Sequence, residues 1–222
     1  MIIDHFESLG DNCEFGFLQR ALGSEEGSLF RWAFVTDFSD LINLINNDFV
    51  DFYQFENLVA TSESMVLDRG TGLHFHTEMY SSRDPASGLW EFNDSLADRR
   101  KIYDSEISKV RYLVEKFRRS MKTEDRIFVI KRNASAPLDH AGPLLAALSA
   151  RGNAKLLVVA EADAQNPAGS AKVLADNLCA GYVSRFAAYH AADDICIESW
   201  TEALENAHAL CLQRDEASES LD

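Results

Sequence analysis

Cys13 stands where a short apolar run, Phe6 to Gly10, turns through a glycine into the helix-forming stretch Asn12 to Leu22. A nucleophilic cysteine needs a base within reach and usually a third group to orient that base. The stretch Gly72-Leu-His-Phe-His-Thr-Glu-Met-Tyr80 supplies two candidates, because strand alternation puts His74 and His76 on one face and Leu73, Phe75 and Thr77 on the other. Asp11 followed by Glu14 three residues later reads as a D-x-x-E capping box, which predicts Asp11 as N-cap and Cys13 at the second helical position. There the unpaired helix N–H groups and the positive end of the dipole lower a thiol pKa. The same N–H groups, with the Asn12 amide, suit an oxyanion. Asp11 and Glu14 act the other way, since their negative field raises the thiol pKa unless they point elsewhere. The competing reading is a small buried side chain that packs a tight turn.

Other groups are weaker candidates. His140 opens a predicted helix and His190 follows a predicted strand, so either could reach the same edge of a sheet, whereas His5 and His208 read as surface or interface residues. His74 and His76 could be two ligands of a metal, but no third ligand stands at fixed spacing, and the four cysteines show no C-x-x-C pattern. No metal and no cofactor is therefore expected. Strand, glycine and helix N-terminus are the parts of a phosphate cradle. Ser8 to Gly16 nevertheless matches neither nucleotide-binding glycine motif, and its two carboxylates would repel a phosphate. Asp11, Arg31 and Trp32, with Trp90, are the candidate substrate-binding residues, and the expected partner is a small molecule, a saccharide or an acyl compound.

Composition bounds the class. The chain has 222 residues, 46% hydrophobic and 26% charged, which describes an ordinary globular protein with room for a proper core. A formal net charge of -15 argues against binding a nucleic-acid backbone. The basic runs Arg99-Arg100-Lys101 and Arg118-Arg119 read as solvated helix faces. No stretch approaches the ~20 apolar residues of a membrane span. The N-terminus has neither the basic nor the apolar region of a secretory signal, so a cytoplasmic protein with reduced thiols is expected. The oligomeric state is left open.

The elements that must position these groups alternate. Arg126 to Asn133 and Lys155 to Asp163 are β-branched apolar runs suited to buried strands, and His140 to Gly152 between them reads as a glycine-capped helix. Ser170 to Gly181 predicts another such helix, and Tyr182 to Tyr189 a third strand. Ile197, Trp200, Leu204, Ala207 and Cys211 form an apolar helical stripe, which gives Cys211 and Cys196 packing roles. In the first half, strand Asp4 to Gly10 precedes the Cys13 helix, then a strand in Ser28 to Thr36 and a helix in Phe38 to Asn47. A mixed segment from Phe49 to Tyr80 and a polar loop, 81–95, lead to a long helix from about Ser105. The expectation is one α/β domain over 1–213, three layers deep, with a mainly parallel or mixed sheet and helices on both faces. An acidic flexible tail is expected over 214–222.

Ser8-Leu-Gly-Asp-Asn-Cys13, followed by Leu29 to Ile45 and by Gly72 to Thr77, resembles a bacterial domain family of unknown function that carries the label papain-like cysteine peptidase. The resemblance spans roughly residues 5 to 190, and the S-L-G-x-N-C opening is its most specific part. It implies Cys13 as nucleophile and a downstream histidine as base, His76 first and His74 second. A papain-like fold would pair the cysteine helix with an antiparallel barrel, whereas the alternation above reads as parallel α/β. The opening is also similar to the first block of SGNH-type hydrolases and to capsule-polysaccharide acyltransferases with Asn-Cys at that place, although serine and a late D-x-x-H are missing. Two functions follow. One is a cysteine-dependent acyl hydrolase or acyltransferase built on Cys13 and a histidine. The other is a non-catalytic or sugar-handling α/β module of surface-polysaccharide assembly, with Arg31, Trp32 and Trp90 along a ligand groove.

Overall fold

The computed structural model describes residues 1–123, 125–133 and 137–219, with side chains through Cys211. The chain opens with β1 (Phe6–Ser8), α1 (Glu14–Ala21) and α2 (Phe38–Asn46). A meander follows, β2 (Leu58–Ser62), β3 (Met65–Asp68) and β4 (Leu73–His76), and then a hairpin, β5 (Ser81–Arg83) and β6 (Trp90–Phe92). The remainder is α3 (Leu96–Ser120), β7 (Ile127–Lys131), α4 (Leu138–Ser149), β8 (Lys155–Glu161), β9 (Ala171–Ala175), β10 (Leu178–Val183) and α5 (Ile197–Glu219).

The main sheet has five strands in the order β1-β7-β8-β10-β9. The first four run parallel, and β9 pairs antiparallel with β10 along the edge. Alternation along the strands builds a core on each side. Ile127, Val129, Leu157 and Val159 meet Phe15 and Leu18 of α1 and Trp200 and Leu204 of α5. Phe128, Ile130, Leu156 and Val158 meet Leu41 of α2, Phe117 of α3, Leu144 of α4 and Phe75 of the meander. Strands apolar on both faces are what a covered parallel sheet requires, and each such side chain contributes about 1.5–3 kcal/mol by leaving water. The result is a three-layer α/β architecture. No helix among the described residues is long and apolar enough to cross a membrane.

Four local expectations are corrected. Ser170 to Gly181 is not a helix but the hairpin of β9 and β10, turned at Asp176-Asn177 with Asn177 at φ +58°. The edge of the parallel sheet claims these residues despite their helix-forming alanines and leucines. Ser28 to Thr36 forms turns with a single antiparallel bridge, Phe34 to His74, instead of a strand. α3 begins at Leu96 and not near Ser105, because Ser95 caps it by accepting the Asp98 N–H at 3.2 Å. The predicted third strand keeps only Tyr182 and Val183 within β10. On α5 the stripe Trp200, Leu204, Ala207 and Cys211 is buried, while Ile197 at its start is exposed and Cys196 lies half-buried before it. The helix extends through Glu219, and the expected flexible tail, 214–222, falls on side chains and residues outside the described set.

Candidate active site

The turn after β1 is built by two residues in left-handed conformation. Gly10 has φ +95°, and a Cβ there would meet Val35 Cγ2 at 2.5 Å, so only glycine fits. Asp11 follows at φ +87°, a conformation that costs a non-glycine residue about 1–3 kcal/mol unless its surroundings hold it. They do. Asp11 Oδ1 accepts the Tyr189 hydroxyl at 3.0 Å, and Oδ2 lies 3.2 Å from Lys131 Nζ. Leu9 N–H donates to the Val129 carbonyl at 2.9 Å and ties the turn to β7.

This geometry replaces the expected capping box. α1 starts at Glu14, so Cys13 itself is the N-cap rather than the second helical residue. Asn12 provides the cap, its Oδ1 accepting Glu14 N–H at 3.0 Å. The Glu14 carboxylate turns inward, accepts Trp200 Nε1–H at 3.0 Å and pairs with Lys131 Nζ at 2.8 Å. Lys131 closes β7 only 1% exposed, so both carboxylates that flank Cys13 share one buried ammonium. Burial nonetheless raises the Asp11 carboxyl above its ordinary range, with Lys131 opposing. Asn12 Nδ2 is buried and has no hydrogen-bond partner among the described residues.

Cys13 Sγ lies 3.8 Å from His76 Nε2, with Cys13 half-buried and His76 exposed. β4 carries His76 from outside the parallel sheet, as one strand of the antiparallel meander. Phe34 anchors it, donating its N–H to the His74 carbonyl at 3.0 Å and accepting the His74 N–H at 3.1 Å. His74 shares the face of His76 but turns its Nδ1 to Thr61 Oγ1 at 3.3 Å. Burial lowers its pKa and disfavours its charged form. His76 is therefore the imidazole that meets the sulfur.

The thiol is not activated in the expected way. Burial pushes the Cys13 thiol above its ordinary value, and the nearby Lys131 charge pulls it down less than burial raises it. The first helix N–H, expected to stabilise a thiolate, is engaged by Asn12.

Arg31 and Trp32, expected at the substrate, make structural contacts. Arg31 is 2% exposed and donates to the carbonyls of Glu26, Gly16 and Ser24, clamping the loop after α1. Trp32 packs its ring 5.1 Å from that of Phe17 beneath the guanidinium of Arg20. Trp90 is half-buried in β6, opposite Arg83. His140 pairs with Asp37 at 3.8 Å, and His190 is exposed on a single turn, Tyr189–Ala191. His5 lies 3.2 Å from Asp125 with its ring 4.6 Å from that of His208.

Three residues of the site escaped the sequence reading: Lys131, Phe34 and Tyr189. Lys131 alone left a signal, a lysine at the carboxyl end of an apolar strand, where a partner of opposite charge must be near. Among the described residues no three His, Cys, Asp or Glu side chains gather as metal ligands. No protein-family model, no curated protein and no solved structure matches the chain.

Proposed function

We propose that the protein is a cysteine-dependent acyl hydrolase or acyltransferase in which Cys13 is the nucleophile and His76 the base. The observation that carries this reading is the 3.8 Å approach of Cys13 Sγ to His76 Nε2 across two separate sheets. The resting group is a thiol, so His76 takes its proton as sulfur attacks the substrate carbonyl. A tetrahedral intermediate forms, and we assign its oxyanion to Asn12 Nδ2, which is buried with no hydrogen-bond partner among the described residues. Collapse of the intermediate breaks the bond to the leaving group, which takes the proton back from His76 and leaves a thioester on Cys13. Water or an acceptor hydroxyl then gives its proton to His76, attacks the thioester and restores the thiol. General base catalysis of this kind contributes about 10²–10⁴-fold.

The Asp11–Lys131–Glu14 network positions the nucleophile instead of joining the proton path, since its carboxylates face the buried ammonium. We place the protein in the cytoplasm, where a thiol such as that of Cys13 stays reduced. The test is trapping. Incubation with an activated ester such as p-nitrophenyl acetate should leave one acetyl group on the Cys13 peptide, and Cys13→Ala should leave none there. Acetylation spread over the other cysteines, with Cys13 unmodified, would overturn the reading.

A further inference from the structure

Cys13 and His76 belong to a closed circuit of six side chains. His74 lies on the same face of β4 as His76, two residues away. Phe34, bridged to His74, places its ring 5.5 Å from that imidazole. The Tyr189 ring stands 6.0 Å from Phe34 at 77°. The Tyr189 hydroxyl donates to Asp11 at 3.0 Å, and the left-handed turn carries the chain from Asp11 back to Cys13.

Two features of this circuit point to a ligand of a particular kind. Tyr189 is tied down at its hydroxyl yet remains 49% exposed, so its ring is both fixed and open, and Phe34 beside it is only half-buried. The charges around the circuit are already matched. Lys131 is held between Asp11 and Glu14, and Arg132, whose Nε lies 3.9 Å from Asp11 Oδ1, also donates to the carbonyls of Val35 and Thr36. Burial lowers the His74 pKa and so disfavours its charged form. The site thus offers ring surfaces next to His74 and Asp11, and among the described residues Lys131 and Arg132 both face Asp11 instead of standing open to a phosphate or carboxylate.

We propose that Phe34 and Tyr189 are the specificity-determining wall of the Cys13 site and receive an uncharged aromatic group on the acyl side of the substrate. The proposal rests on Cys13 being the nucleophile. Aromatic rings prefer edge-to-face or offset contacts at about 4.5–7 Å, and a planar acyl group entering beside the existing pair completes such a contact.

Two alkylating probes test it, iodoacetamide and N-phenyl-2-iodoacetamide. Each forms a carbon–sulfur bond at Cys13, expels iodide and releases the thiol proton. The quantity read is the aryl-to-plain rate ratio at Cys13 divided by the same ratio for N-acetylcysteine. The expected value is about tenfold in the wild type, falling to within about twofold in Phe34→Ala. Tyr189→Leu should lower it in the same way, while Tyr189→Phe, which keeps the ring but loses the bond to Asp11 that fixes it, should lower it less. Since Phe34 also carries the bridge to His74, Tyr189→Leu at the exposed ring gives the second reading. A wild-type ratio equal to that of the free thiol, or one unchanged in both Phe34→Ala and Tyr189→Leu, overturns the proposal. Because the ratio is taken within one protein, it is independent of whether His76 accelerates the reaction, which tests the dyad separately.

Discussion

Lys131 Nζ lies 2.8 Å from Glu14 Oε2 inside the protein, with the ammonium side chain 2% and the carboxylate 0% exposed. The pair joins the end of β7 to the first residue of α1 and so fixes the turn that presents Cys13. Asp11, 3.2 Å away on the same ammonium, completes the network.

Removing the cation alone leaves two buried carboxylates facing each other. Lys131→Met should destabilise the fold by about 3–5 kcal/mol, the range for breaking a buried ion pair on one side. It should also raise the Cys13 thiol pKa further, since the Lys131 charge is the influence that lowers it. Urea denaturation checks the first effect, and thiolate absorbance against pH, with Cys179, Cys196 and Cys211 replaced in both proteins, checks the second. A stability loss below about 1 kcal/mol would show that the network does not hold the turn.

Glu7 on β1 gives a pH signature. Burial holds its carboxyl above the ordinary range, with Ser120 and Arg126 opposing. The folded protein therefore binds that proton more tightly than the unfolded chain. The stabilisation is complete below the unfolded value of ~4.3 and is lost as the pH rises through the higher folded value. Glu7→Gln should accordingly be more stable than the wild type at pH 8, with the difference shrinking toward pH 4. Denaturation midpoints at the two pH values measure it, and a Gln variant less stable at pH 8 than at pH 4, relative to wild type, would refute it.

Much of this arrangement was legible in the chain. The β-branched runs of β7 and β8 have one reading, and Gly10 before Asn12-Cys13 marks a turn into a helix that the structure contains. The pairing of β4 with a meander outside the parallel sheet was not legible, because short alternating runs do not name their partners. The β9–β10 hairpin misled for another reason: alanine and leucine favour helix locally, and the turn signal, Asp176-Asn177, is weaker than an Asn-Gly. Ser95 with Asp98 was a readable start for α3, but its polar first turns carry no apolar periodicity. Tyr189 joins the site through a contact 178 residues distant, which no local pattern announces.

Asn12 separates capping from chemistry. Its Oδ1 holds the Glu14 N–H, while its Nδ2 is buried with no hydrogen-bond partner among the described residues. Asn12→Asp keeps the acceptor and removes the donor. It should lower stability by about 1–3 kcal/mol, because the new carboxylate is buried beside Asp11 and Glu14, and slow acylation of Cys13 by p-nitrophenyl acetate about 10²-fold. Acylation at the wild-type rate would remove Asn12 from the oxyanion site.

The Cys13–His76 contact itself is tested most directly by the rate of Cys13 alkylation with iodoacetamide, followed by mass spectrometry from pH 6 to 10 in the wild type and in His76→Asn. If His76 takes the thiol proton across the observed 3.8 Å, the wild type should react at least about tenfold faster than His76→Asn at pH 7.5. The gap should narrow as the pH passes the ordinary thiol value of ~8.5 and the sulfur ionises unaided. Profiles for the two proteins that superimpose over the whole range would contradict the dyad.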